Sequence, residues 1–295
     1  MKRGDNIDDR LREPSLPRAV VAAAPQLHVP LALRLAERVR SHGTRMIVGL
    51  CGAQGSGKST TARVLTHLLA EQGLSALALS IDDFYLTREQ RMALSHRVHP
   101  LLSTRGVPGT HDVPLALATL QSLRAASPTL LPRFDKATDE RLPRQSWPTV
   151  QTPCDLIILE GWCVGARPQP AAALQSPVNS LEQDFDPDLK WRGYVNDTLA
   201  HEYQQLFSML DMLILLAAPS FDVVYGWRLE QEQQLRRQVQ AASGNLARVM
   251  DDAQVRHFIA HYERLTRHIL EEMPHRADIV VPLDAQRRAL QPWRI

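Results

Sequence analysis

Apolar positions change their period along this chain, and the changes mark out its elements. Met46–Cys51 is a short apolar run ending in glycines, and from Lys58 to Gln72 the apolar period turns helical until Gly73 supplies a stop. That switch reads as strand, tight loop, helix. Further short apolar runs at Leu74–Ile81, Asp155–Leu159, Asp211–Ala217 and Asp278–Leu283 are separated by helical or loop segments. Five strands in βα alternation predict an α/β fold with a mostly parallel five-stranded sheet and helices on both faces. Val29–Arg40, with Leu31, Leu35 and Val39 at helical spacing behind Pro30, predicts a helix ahead of the first strand, and residues 1–25 are expected to straggle. Longer helices are expected at about Tyr194–Leu210, Phe221–Gln240 and Asp251–Glu272, and Thr87 with Gln90 offers a capping box. No internal repeat is visible.

Composition narrows the function classes. The 295 residues are 44% hydrophobic, about 130 apolar side chains, enough for a sizeable core. Lys+Arg 34 against Asp+Glu 32 leaves a net charge of +2 without long single-sign blocks, so neither nucleic acid nor an anionic membrane is the expected partner. Met1 to Arg18 mixes acids with bases and lacks an apolar core, which predicts neither a signal nor a transit peptide. No run reaches the length of a membrane span, so a soluble chain is expected. Cys51, Cys154 and Cys163 are odd in number and form no C-x-x-C pair, which suits a reducing, cytoplasmic setting.

Glycine is scarce at 14, yet Gly49, Gly52, Gly55 and Gly57 crowd together. Gly52-Ala53-Gln54-Gly55-Ser56-Gly57-Lys58-Ser59 fits G-x-x-x-x-G-K-[ST] at every required position, between a predicted strand and a predicted helix. This is a phosphate-binding loop, and it predicts a P-loop NTPase fold that binds ATP through Gly52 to Ser59 and Thr60. Backbone N–H groups would turn onto phosphate oxygens, Lys58 would reach the β/γ-phosphates, and Ser59 would hold Mg²⁺. Asp155 to Gly161 is an apolar strand ending in an acid, so Glu160 is the candidate Walker B carboxylate for Mg²⁺. No N-K-x-D guanine motif occurs.

Ser80-Ile81-Asp82-Asp83-Phe84-Tyr85 ends the second strand, where ligands of an open parallel sheet bind. A carboxylate there can take the proton of an acceptor hydroxyl or orient Mg²⁺-bound water. Spacing alone leaves Asp82 and Asp83 equivalent. Eleven of the 20 prolines lie between Pro100 and Pro177, which predicts loops and short helices there. Arg105, His99, His111, Asp135 and Lys136 fall on these loops and suit an anionic, hydroxylated acceptor.

The Ser-x-Asp-x-Phe stretch resembles that of the uridine kinase, phosphoribulokinase and pantothenate kinase superfamily. Thr104 to Asp112, Leu131 to Lys136, Glu160-Gly161-Trp162 and Trp227 to Glu232 together resemble the D-glycerate 3-kinase family of plants, fungi and bacteria, over about Met46 to Leu283. The resemblance implies that Asp82 is the general base and a metal contact. It implies that Asp83 and Tyr85, with Arg105, His111, Asp135 and Lys136, face the acceptor, and that Arg228 on a lid helix covers the transferring phosphoryl group. Arg236 and Arg237 lie further along the same helix. Val107-Pro108 departs from the plant pattern where the acceptor should bind.

The expected activity is ATP-dependent, Mg²⁺-requiring transfer to a hydroxyl of an organic acid, D-glycerate above all. Another acceptor (a nucleoside, pantothenate or a sugar acid) and a P-loop regulatory module are the alternatives. His257, His261 and His268 lie on an apolar helical stripe and are read as packing rather than a metal face, and the five tryptophans are scattered without repeat. Residues 1–45 are expected to form an extension, and 46–295 one enlarged domain with acceptor loops at about 97–150, an insertion at about 164–191 and a lid at about 221–245.

Overall fold

Local rules account for the start of the fold in the computed structural model, which describes residues 24–150, 153–241 and 250–293. The expected straggling of residues 1–25 lies outside the described residues up to position 23. Helix α1 (Val29–His42) has Pro30 in its first turn, where the missing N–H leaves no bond unmade, and Gly43 at φ 73° ends it. Its Leu31, Leu35 and Val39 stripe is buried, and it packs on α2 (Lys58–Ala70). His28, just ahead of α1, meets the Thr61 hydroxyl on α2 at 3.3 Å.

The sheet consists of β1 (Met46–Gly52), β2 (Ala76–Ser80), β3 (Leu156–Gly161), β4 (Met212–Ala217) and β5 (Ile279–Pro282). Its spatial order is β2-β3-β1-β4-β5, and every pairing is parallel. β1 and β3 are buried along their whole lengths, as strands covered on both faces must be. Register brings Leu50 opposite Glu160, Ser80 opposite Glu160 and Gly52 opposite Leu216, so the phosphate loop, Glu160 and the turn after β2 share one edge.

The opposite edge is pinned by a repeated device. Asp155, Asp211 and Asp278 each stand before a strand. Each bonds its neighbour's start twice: its backbone N–H goes to the carbonyls of Ser75, Ile47 and Leu213 respectively. Its carboxylate accepts from Ser75 N at 2.8 Å, Ile47 N at 2.7 Å and Leu213 N at 2.7 Å, in the same order. Such charge-assisted bonds fix the register of parallel strands.

β2 is shorter than its apolar run, because the Ser80 hydroxyl accepts from Asp82 N and turns Ile81–Phe84 into a 3₁₀ turn. Helix α3 (Arg88–Arg97) begins on the Thr87–Gln90 capping box. Helix α4 (Val113–Arg124) follows, capped by Asp112. Two short antiparallel ladders come next, Thr129–Leu130 with Thr149–Val150 and Phe134–Asp135 with Glu140–Arg141.

Helix α5 (Ser180–Phe185) lies in the expected insertion, tied to the body by the Glu182–Arg264 pair at 2.6 Å and the Asp186–Arg192 pair at 2.8 Å, all four residues being buried. The single helix expected over Tyr194–Leu210 is two, α6 (Lys190–Ala200) and α7 (Glu202–Phe207). The break falls at His201, whose N–H still reaches Asp197 O at 3.2 Å, and the next turn's carbonyl, Leu199 O, is taken by Gln204 Nε2 at 2.9 Å. Helices α8 (Phe221–Ala241) and α9 (Asp252–Glu272) match their expected spans closely. One continuous apolar cluster joins α1, the sheet, α8 and α9. Among the described residues no helix is long and apolar enough to cross a membrane.

Burial lowers both His28 and His261 to about 4 from an ordinary 6.5. The native state therefore binds fewer protons than the unfolded chain between those values. The stabilisation is complete above pH 6.5 and is lost as pH falls toward 4, each residue adding a slope of up to about 1.4 kcal/mol per pH unit. Urea midpoints should fall between pH 7 and 5, and His28→Gln with His261→Gln should flatten that fall. An unchanged slope would show that these imidazoles do not carry it.

Candidate active site

The phosphate loop is shaped before any ligand arrives. Gly52 ends β1, Ser56 N closes a turn on Ala53 O at 3.1 Å, and Gly57 at φ 88° caps α2. Lys58, Ser59 and Thr60 form the first turn of α2, whose free N–H groups and dipole favour an anion. Lys58 is half-buried, and among the described residues no hydrogen bond or ion pair holds its ammonium. Ser59 Oγ donates to Glu160 Oε1 at 2.8 Å. Glu160 Oε2, Gln54 Oε1 and Ser56 Oγ are buried without partners, which marks a place where a ligand or ion supplies the missing contacts.

Among the described residues no group of three His, Cys, Asp or Glu could cage a metal. Mg²⁺ asks for less than a cage: one or two carboxylates, with water and phosphate oxygens completing the shell. The Ser59 hydroxyl and the unpartnered oxygen of Glu160 fit that demand. Nearby Cys51 packs under the loop with its thiol on Trp162 O, and burial pushes that thiol up to about 12.

Asp82 and Asp83, alike in sequence, face different surroundings. Asp82 Oδ1 accepts from Tyr85 OH at 2.9 Å and Oδ2 from Lys136 Nζ at 2.6 Å. Burial disfavours its charge, but Lys136 and Lys58 outweigh burial and hold the carboxyl well below the usual range. Asp83 instead accepts from Phe134 N and from Arg133, both at 3.2 Å, and burial raises it. Asp82 thus bonds Lys136 directly and feels the charge of Lys58, while Asp83 anchors the hairpin that carries Lys136.

Tyr85, expected to face the acceptor, is 4% exposed and is turned onto Asp82. Its ring stacks on His111 at 4.5 Å, and its carbonyl accepts twice from Arg141, which also pairs with Asp112 at 3.0 Å. His111 is itself buried against Tyr203 OH at 2.6 Å, and burial lowers it to about 4, so it stays neutral. The two rings form a packed wall behind Asp82. Arg105 is ion-paired with Asp139, which Arg91 also holds at 2.7 Å, and lies over the Phe134 ring. Asp135 closes its own turn on Ala137 N and Thr138 Oγ1. Lys136, at 60% side-chain exposure, reaches both solvent and Asp82. His99 accepts from Leu101 N within its own turn.

Arg228 lies on α8, pairs with Glu232 at 2.7 Å and lies over Phe258. Arg236 donates to Met250 O at 3.1 Å, and Arg237 is exposed. Residues without any motif complete the site. Arg287, in the loop after β5, donates to Gly55 O at 2.7 Å, pairs with Glu230 at 2.6 Å and covers Trp227. Tyr262 on α9 donates to Arg105 O at 3.1 Å and meets Trp162 edge-on. The helical stripe in the sequence showed that Tyr262 is buried, but not where its hydroxyl goes.

A Cβ on Gly55 would come within 2.6 Å of Trp227 Cβ, whereas one on Gly57 would meet nothing within 4 Å, and both residues have positive φ. Gly57→Ala should therefore cost the backbone penalty alone, about 1–2 kcal/mol. Gly55→Ala should cost clearly more in a urea titration without nucleotide. Equal losses would mean that Trp227 gives way freely.

A model of the phosphoribulokinase/uridine kinase family matches residues 47–166. The uncharacterized kinase mug58 of Schizosaccharomyces pombe is 33% identical over 241 residues, covering 77% of this chain and 82% of that protein. The chloroplastic D-glycerate 3-kinase of Arabidopsis thaliana is 27% identical over 254 residues, covering 80% of this chain and 52% of the plant protein, so the chain spans about half of its length. The solved D-glycerate 3-kinase of Cryptococcus neoformans superposes with a TM-score of 0.72 at 26% identity, covering 94% of this chain and 99% of that one. With its phosphate loop and these relatives, the chain is a P-loop kinase and belongs to the phosphoribulokinase/uridine kinase family, with D-glycerate 3-kinases among its homologues.

Proposed function

We propose that the chain transfers the γ-phosphoryl group of ATP to a hydroxyl of a small organic acid, converting D-glycerate to 3-phosphoglycerate. The observation that carries this reading is the Asp82 carboxylate on the turn after β2, bonded by Lys136 and at the same sheet edge as the phosphate loop. A base at the phosphate-loop edge with a cation bonded to it suits a reaction in which two anionic substrates meet. Homologues named D-glycerate 3-kinase support the choice of acid.

In this reading the phosphate-loop N–H groups and Lys58 hold the β- and γ-phosphates. The acceptor hydroxyl attacks in line, and its proton passes to Asp82 as the new bond forms. Tyr85 and His111 hold Asp82 in place from the packed side. Arg228 exchanges Glu232 for the charge on the transferring group, where a fixed cation is worth most. Ser59 and Glu160 would hold Mg²⁺, which supplies charge neutralisation on the phosphate oxygens. Positioning and electrostatics carry the reaction, and no covalent intermediate is required. The partner is a small molecule rather than nucleic acid, and the free, buried Cys51, Cys154 and Cys163 suit a cytoplasmic enzyme.

An acceptor panel with products identified by mass tests the assignment. D-glycerate should stimulate ADP formation and gain one phosphoryl group; stimulation by pantothenate or a nucleoside without any by glycerate would overturn the acceptor. Asp82→Asn should lower kcat by about 10²–10⁴-fold while leaving ATP affinity unchanged. Undiminished acceptor-dependent turnover in that variant would remove Asp82 from the base role.

A further inference from the structure

The contact between Lys136 and Asp82 raises a problem that the proposed reaction must solve. A base must offer a lone pair to the incoming hydroxyl, and each oxygen of Asp82 already gives one to a donor, Oδ2 to a full positive charge. The two donors differ in freedom. Tyr85 is enclosed, its ring stacked on His111 and its carbonyl held by Arg141. Lys136 is 60% exposed and touches Asp82 from the open side.

The backbone beneath Lys136 is not free to move away. Phe134 N and Arg133 are fixed on Asp83, Asp135 holds Ala137 N and the Thr138 hydroxyl, and Asp139 is held by Arg91 and Arg105. What can move is the lysine side chain, a flexible four-carbon stem with a point charge at its end. Three arginines of the proline-rich segment are paired with acids other than the base: Arg133 with Asp83, Arg105 with Asp139, Arg141 with Asp112. Lys136 is paired with the base itself. An acceptor carboxylate that draws Lys136 to itself therefore uncovers Asp82 in the same movement.

We propose that Lys136 is a latch on Asp82, closed against water and neutral hydroxyls and opened by an acceptor that carries its own carboxylate. The inference rests on the transfer reaction proposed above and adds to it a specificity-determining and protective role. With the latch open, the acceptor oxygen bonds to the γ-phosphorus, the bond from that phosphorus to the β-phosphate oxygen breaks to leave ADP, and the hydroxyl proton passes to Asp82 Oδ2. With the latch closed, a water molecule in the acceptor's place finds Oδ2 covered by the ammonium, and ATP is not spent on hydrolysis. Lys136 is a positioning residue for the base as well as a contact for the acceptor.

The two roles separate experimentally, because simple carboxylate binding predicts no change when no carboxylate is present. ADP release from Mg·ATP would be measured for the full chain with no acceptor, with glycerol and with D-glycerate. In Lys136→Met, hydrolysis without acceptor and turnover with glycerol should both rise about tenfold, part of what a freed general base can supply. kcat/KM for D-glycerate should fall about 100-fold, the scale for removing one partner of a hydrogen-bonded charge pair. Lys136→Arg should keep hydrolysis low. Asp82→Asn/Lys136→Met should abolish the added hydrolysis, which would show that it passes through Asp82. Hydrolysis in Lys136→Met at or below that of the unaltered chain would overturn the latch and leave Lys136 as a carboxylate contact only. If the unaltered chain turned over no hydroxy acid, the acceptor reading would fall, while the acceptor-free arm would still decide the latch.

Discussion

The parallel pairing of β1 with β3 on one side and β4 on the other places every group with chemistry to do. Ser59 can donate to Glu160 only because β1 and β3 run side by side with Leu50 opposite Glu160. In a sheet buried on both faces, a slip of one residue would turn Glu160 to the other face and end that bond. The aspartates before β3, β4 and β5 guard against the slip from the far edge, each binding its neighbour through both backbone and carboxylate. Register is thus set at one edge of the sheet and used at the other.

The proline-rich segment is built on a different principle, a set of acids and bases already paired with one another. Asp83 with Arg133 ties the proline-rich segment to the turn after β2, Arg91 of α3 holds its Asp139, and Asp112 with Arg141 and Asp139 with Arg105 close the segment on itself. The partly exposed Asp83–Arg133 pair contributes only about 0–1 kcal/mol, so its value lies in geometry rather than stability. The Glu182–Arg264 pair beneath the insertion is different. Both side chains are buried, and removing one partner would cost about 3–5 kcal/mol by leaving a charge unmatched.

Much of this was legible in the sequence, for identifiable reasons. Period changes gave the five strands, and the spacing from Gly52 to Ser59 gave the loop, because both depend on neighbours along the chain. The Thr87–Gln90 box was readable for the same reason. The break at His201 was not, since Gln204 closing on Leu199 O requires knowing which carbonyls a side chain will take. The distinction between Asp82 and Asp83 was equally out of reach. It is made by Lys136, Phe134 and Arg133, about fifty residues away, and no local pattern reports which carboxylate meets which partner. The stack of Tyr85 on His111 was out of reach for the same reason, since it arises only when the loop folds back.

Arg287 gives the phosphate loop a dependence on time as well as on space. Gly55 and the arginine that holds its carbonyl are 232 positions apart in the chain. During synthesis the complete loop motif emerges long before Arg287, and Trp227, over which that arginine lies, also comes late. A ribosome-bound chain that has reached only β4 carries every residue of the nucleotide signature but lacks the brace beneath Gly55. The finished loop is thereby a product of the whole chain rather than of its own eight residues.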